Sequence, residues 1–135
     1  MRAVRSRDTK PELRVRSVLH RAGYRFRVHR RDLPGSPDIV LPKYRTVIFV
    51  HGCFWHGHEG CRRATLPSTR AGFWREKIER NIARDAAAEA ALHHLGYRTV
   101  TLWECELNSA AFILKHVDNA TGRGEGSNGE AITAE

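Results

Sequence analysis

Two of the three cysteines in this 135-residue chain lie close together in FVHGCFWHGHEGC, residues 49–61, in the company of three histidines. A closed structural zinc site takes four nitrogen or sulfur ligands in a tetrahedron. Cys53, His58 and Cys61 supply three in a Cys-x4-His-x2-Cys spacing, and Cys105, in WECEL, is the one cysteine left to supply the fourth. A Cys3His set would use every thiol; the plainer alternative leaves Cys105 as an ordinary buried thiol. Four protein ligands leave no open position for water, so this Zn²⁺ would be structural, and His51 and His56 remain for other work.

A second chemistry is written around Asp38. Pro37-Asp38 opens one apolar run and Phe49-Val50-His51 closes the next after a tight turn, so Asp38 and the Val50 main chain can lie side by side. A carboxylate and the Val50 backbone carbonyl form a hard-oxygen pair of the kind that holds Mg²⁺, with waters and substrate phosphate completing the shell. Taken alone, Asp38 is more simply a turn aspartate after a proline.

Both sites need elements to carry them. Thr9-Lys10-Pro11-Glu12 fits a capping box with proline in the first turn, and Val15, Val18, Leu19 and Ala22 follow at helical spacing, which predicts a helix over 10–22. Tyr24, Phe26 and Val28 alternate with arginines as in a strand with one buried face. DIVL reads as a short strand, PKYR as a turn, and TVIFV as a buried central strand, so the three strands form a meander. A long helix is predicted over about 71–95, with Trp74, Ile78, Ile82 and Leu92 inward and Gly96 as its stop. YRTVTLW alternates as a fourth strand, and 106–117 reads as a short helix. The order α-β-β-β-α-β-α predicts an α/β fold with a mixed sheet flanked by helices. If the fourth strand lies beside the 45–51 strand, Cys105 reaches the other three ligands. One domain over residues 1–118 with a basic N-terminal arm is expected, followed by a tail over 119–135 with the composition of disorder.

The charge is one-sided. Residues 1–31 hold eleven Lys or Arg against Asp8 and Glu12, a local net charge of +9 in a chain whose total is +8. A cluster of that sign is an electrostatic footprint for nucleic-acid phosphate, and its bias toward arginine suits bidentate contacts; the bland alternative is a solvated basic face. No apolar run approaches a membrane span or the core of a signal peptide, which leads to the expectation of a soluble cytoplasmic protein without a membrane partner. Three cysteines do not make a disulfide framework.

In order and spacing, MRAVRSRDTKPE, LPGSPDIV, FVHGCFWHGHEGC, TRAGFWREKIERNIARD and LGYRTVTLWECEL resemble the very-short-patch repair (Vsr) DNA mismatch endonucleases over about residues 1–107. The resemblance implies a PD-(D/E)xK-like, restriction-endonuclease-like fold with a structural zinc, the pattern's acidic and lysine positions being replaced in Phe49-Val50-His51. It implies a bacterial, Mg²⁺-dependent enzyme, expected to act as a monomer, that nicks duplex DNA 5′ to the thymine of a T·G mismatch left by deamination of 5-methylcytosine. Mismatch-repair proteins and a repair polymerase would be its partners downstream. Carried over position by position, it makes Asp38 the metal-binding aspartate, Glu12 the acid of the N-terminal helix, His51 and His56 the active-site histidines and Asp85 the acid of the long helix. His56 is then the candidate base and Asp85 the group that holds its tautomer. The zinc ligands again fall on Cys53, His58, Cys61 and Cys105, and the aromatics that wedge into DNA on Phe54, Trp55 and Trp74. Val50 departs from the threonine of better-known members, which removes a hydroxyl but not the backbone carbonyl. The rival readings are a zinc-stabilised nicking nuclease of other specificity and a non-enzymatic zinc DNA-binding module, which would leave Asp38, His51, His56 and Asp85 without a purpose.

Overall fold

A computed structural model describes residues 9–123 of the chain. Helix α1 (Lys10–Arg21) begins at Thr9, whose hydroxyl accepts the Glu12 amide N–H, and Pro11 stands in its first turn, where a missing N–H costs no helical bond. Strands β1 (Arg27–Val28), β2 (Ile39–Leu41) and β3 (Thr46–His51) form an antiparallel meander, and β4 (Arg98–Trp103) pairs parallel to β3, giving the order β1-β2-β3-β4. Helix α2 (Ala71–His94) makes the crossover that a parallel pair requires, and α3 (Ala110–Thr121) closes the described chain.

Two cores lie on opposite faces of this mixed sheet. The larger joins Val15, Val18 and Leu19 of α1, Ile113 and Val117 of α3, and Ile39, Ile48, Val100 and Leu102 of the strands. The smaller is only Val40, Val47 and Leu92, with Leu33, Phe49 and Tyr97 packed around them. The 24-residue α2 fully buries just Ile78 and Leu92, so it is held to the sheet near its C-terminus and to the cysteine loop near its middle. The gap between is a cleft.

Several expectations need adjusting. The first strand is expected from Tyr24, yet only Arg27 and Val28 pair, because β2 offers just three residues and His29, at φ 59°, turns the chain away. Tyr24 joins the larger core as a buried side chain instead. Ile82 is expected inward and is 44% exposed; it leans on the cysteine loop, where a Cβ at Gly57 (φ +62°) would stand 2.8 Å from its Cδ1. The helix expected over 106–117 starts at Ala110, after a 3-10 turn over Glu104–Glu106, and runs to Thr121, past the expected boundary at 118. Most of the expected tail, and the N-terminal arm through residue 8, lie outside the described residues. Among the described residues no helix is long and apolar enough to cross a membrane.

Candidate active site and metal centre

The parallel pairing of β3 with β4 sets His51 opposite Trp103; the loop that follows β3 carries Cys53, His58 and Cys61, and the turn that follows β4 carries Cys105. Short backbone bonds fold the loop between: the His56 N–H donates to the Gly52 carbonyl at 3.2 Å, and the His58 N–H to the Cys53 carbonyl at 2.9 Å. Cys53, His58, Cys61 and Cys105 thereby present ligand atoms that all lie within 4.8 Å of one another. Cys105 Sγ stands 3.5 Å from His58 Nδ1. Sulfur at roughly 2.3 Å and nitrogen at roughly 2.0 Å from one tetrahedral zinc would be about 3.6 Å apart, so the donor set fits such an ion. Burial pushes the Cys53 thiol up to about 12, a value that a bound cation would have to reverse because only thiolate ligates. The His58 ring is pinned from outside by Trp103, stacked at 4.1 Å and 7°.

A cleft of about 1390 Å³ opens between α2 and the exposed side of β3 and β4, and Glu12, Asp38, His51, His56 and Asp85 all line it. The Asp38 backbone N–H donates to the Ile48 carbonyl at 3.1 Å, and the Val50 amide donates to Asp38 Oδ2 at 2.6 Å. Asp38 and Val50 therefore meet as neighbours, with the contact made by the Val50 N–H rather than by the carbonyl named above. The Asp38 carboxyl is pushed up to about 7: burial is the largest cause, the Val50 hydrogen bond opposes it, and the Glu12 carboxylate adds to it. Glu12 is only 4% exposed; it forms an ion pair with Arg16 at 3.6 Å and faces Asp38. Two carboxylates forced together in a buried place are a site whose strain a divalent cation relieves.

Beside them the His51 and His56 rings stack at 3.8 Å and 4°. Burial is the main reason that the His51 pKa falls to about 4, with His56 pressing the same way and Asp85 opposing. His51 Nδ1 is buried and has no hydrogen-bond partner. His56 Nδ1 lies 2.6 Å from Asp85 Oδ2 across the gap between the cysteine loop and α2. His51, His56 and Asp85 are close enough to be read as a metal triad. The stack argues against it: imidazole lone pairs lie in the ring planes, and near-parallel planes this far apart share no point from which one ion could be bonded by both. The geometry is that of an imidazole held by a carboxylate, with a second imidazole stacked beside it.

The remaining three predicted residues form an edge-to-face cluster outside the core. Phe54 lies 5.1 Å from Trp55 and 5.6 Å from Trp74, and Trp55 is 5.8 Å from Trp74. Asn81 Nδ2 donates to the Trp55 carbonyl at 2.7 Å and so ties this loop to α2 one turn before Asp85. Sequence reasoning passed over both Asn81 and Trp103. Trp103 stacks on His58 and meets the His51 ring edge-on at 5.1 Å, linking the cysteine cluster to the histidine pair. Its place at the end of an alternating strand, two residues before a cysteine, is the signal that could have singled it out. Part of the basic charge has structural work: Arg14 donates to the Leu107 and Asn108 carbonyls, and Arg45 to that of Leu95.

The chain is similar to known proteins over most of its length. The sequence profile described as DNA mismatch endonuclease Vsr matches residues 1–63, which include Glu12, Asp38, both histidines and three of the four zinc-type ligands. The type II nicking enzyme V.XorIIP of Xanthomonas oryzae is 59% identical over 119 residues, 88% of this chain and 87% of its own. The type II nicking enzyme V.NmeAIP of Neisseria meningitidis is 44% identical over 118 residues, 87% of this chain and 84% of its own. The DNA mismatch endonuclease Vsr of Escherichia coli is 49% identical over 107 residues, 79% of this chain and 68% of its own. Identity at this level over most of the chain places it in the Vsr family of DNA mismatch endonucleases.

Proposed function

We propose that this chain starts mismatch repair by nicking one strand of duplex DNA 5′ to the thymine of a T·G mismatch, in a Mg²⁺-dependent hydrolysis. The relatives' names supply the reaction class, DNA nicking and mismatch cleavage. The observation that supports the assignment of roles is the single cleft in which a strained carboxylate pair, Asp38 and Glu12, adjoins a carboxylate-bound imidazole, His56 on Asp85.

Asp38, with the Val50 carbonyl, would hold Mg²⁺, and Glu12 would hold its outer-shell water. The ion would neutralise charge that develops on the phosphate and polarise the water that attacks it. With Nδ1–H donated to Asp85, the His56 ring keeps Nε2 free to accept a proton from that water. Asp85 holds this tautomer and offsets the imidazolium that results. His51, neutral across the physiological range because burial depresses its pKa to about 4, adds no charge beside His56 and can orient water or accept a hydrogen bond. Cys53, His58, Cys61 and Cys105 would hold a structural zinc, which keeps the His56 loop stiff from both sides.

Phe54, Trp55 and Trp74 would enter the stack beside the mismatch. Unstacking a step costs a few kcal/mol, least where pairing is already poor, and this difference would give part of the selectivity. The mixed sheet with the carboxylate at a strand start and the catalytic pair at the end of its neighbour supports a PD-(D/E)xK-like ancestry. The chain through α3 would act as one nuclease domain with the basic arm gripping phosphate, a monomer working on cytoplasmic DNA and handing its nick to repair proteins and a polymerase. Nicking measured over matched duplexes and every mismatch, with and without Mg²⁺, tests the proposal. Selective cleavage of T·G that needs the ion is expected; equal cleavage of all duplexes, or none, would overturn it.

A further inference from the structure

Phe73 is an aromatic residue that the wedge does not use. Its ring continues the edge-to-face ladder from Trp74, at 5.0 Å and 79°, yet it is 44% exposed, so core packing does not account for its place. The Arg70 guanidinium lies over the same ring, 4.4 Å from its centroid. Arg70 stands at the turn into α2 with φ 57°, a left-handed conformation that a side-chain-bearing residue adopts only when its surroundings impose it. None of the described carboxylates forms an ion pair with it. Beside the pair, a Cβ added to Gly72 would meet nothing within 4 Å, so this surface is open to a large ligand.

A guanidinium held flat on an aromatic face keeps its N–H edge directed outward and loses little freedom when it meets a phosphate. We propose that Arg70 and Phe73 form a flanking clamp on the DNA backbone, in which Arg70, pre-positioned by the Phe73 ring, pairs with a phosphate beside the step that Phe54, Trp55 and Trp74 open. This rests on the wedge reading above and extends it: aromatic insertion distorts the backbone next to it, and a cation fixed on the outermost ring of the same ladder would hold the distorted strand. The ligand is the sugar–phosphate backbone, so the clamp contributes affinity and position rather than base readout.

The test is equilibrium binding of the full chain to a T·G duplex over a range of salt concentrations. Arg70→Ala should lower affinity by about three- to tenfold and reduce the slope of log K against log salt by about 0.9, the value for one lost phosphate contact. Arg70→Lys should keep the slope, having kept the charge, while recovering only part of the affinity. Phe73→Ala should lose nearly as much affinity as Arg70→Ala, and the double variant should be little worse than either, because the ring acts through the arginine. An unchanged slope in Arg70→Ala, or losses that multiply in the double variant, would overturn the clamp. If Phe73→Ala proves destabilised by thermal melting, the Arg70 variants decide the matter through the slope alone. The variant Phe54→Ala/Trp55→Ala separates the two ideas: retained T·G discrimination there is a failure of the wedge, whereas parent-like salt dependence in Arg70→Ala is a failure of the clamp.

Discussion

Replacing Asp38 by asparagine should make the protein more stable and inactive at once. The Asp38 carboxyl is pushed up from an ordinary 3.8 to about 7, chiefly by burial and then by Glu12. A raised folded-state value means that the folded protein binds more protons than the unfolded chain between about pH 4 and pH 7, so stability falls as pH rises through that window and the cost is complete above it. Three pH units at about 1.4 kcal/mol each set a ceiling of about 4 kcal/mol. Relaxation and water around the buried carboxylate lower the net figure, whereas asparagine can still accept the Val50 N–H; we expect Asp38→Asn to gain about 2 kcal/mol at pH 8, or roughly 8 °C in melting temperature for a domain of this size. The advantage should shrink steadily toward pH 5. Thermal unfolding of both proteins in magnesium-free buffer, without chelator so that the cysteine site is undisturbed, measures this directly. Added Mg²⁺ should stabilise the parent at pH 8 and leave the variant where it was. Nicking should vanish while duplex affinity stays within a few-fold, since no phosphate-binding cation is removed. A variant no more stable than the parent at pH 8, or equally favoured at pH 5, would show that Asp38 is not strained by its neighbours.

Cys105→Ser should lose the bound metal and the cooperative melt together, because binding energy in such a site is folding energy; elemental analysis that finds a folded, zinc-free parent would remove the site. Asp85→Asn, which keeps the shape but not the charge that holds His56, should slow nicking by about 10² or more with little change in affinity, and equal rates in a single-turnover assay would make Asp85 a surface residue. Truncating the wedge in Phe54→Ala/Trp55→Ala should cut the preference for T·G over matched T·A by about one to two factors of ten, at roughly 1–3 kcal/mol per stacked base, while matched-duplex binding hardly moves. A folded, metal-loaded double variant that still discriminates as well as the parent would place the mismatch reading elsewhere.

Part of this site follows from local spacing alone. Cys53, His58 and Cys61 sit on one short loop, so their convergence needs only tight turns, and a cysteine count of three left one candidate for the fourth position. The meander that brings Asp38 to Val50 follows from a four-residue turn between two apolar runs. Local information also misled where a partner set the outcome: the β1 alternation extends to Tyr24, but a strand ends where its neighbour's hydrogen bonds end, and Ile82 keeps helical register with Ile78 yet meets the cysteine loop at Gly57 and stays exposed. The other contacts join segments far apart in the chain. Glu12 reaches Asp38 because α1 packs under the sheet through Val15 and Leu19, and Asp85 reaches His56 because α2 crosses over to make β4 parallel to β3. The stacking of His51 on His56, and of Trp103 on His58, comes from side chains at the ends of two strands and a loop whose separation in sequence exceeds fifty residues between Trp103 and His51. The raised pKa of Asp38 and the lowered pKa of His51 are set by burial and neighbours, quantities that exist only once distant segments have met.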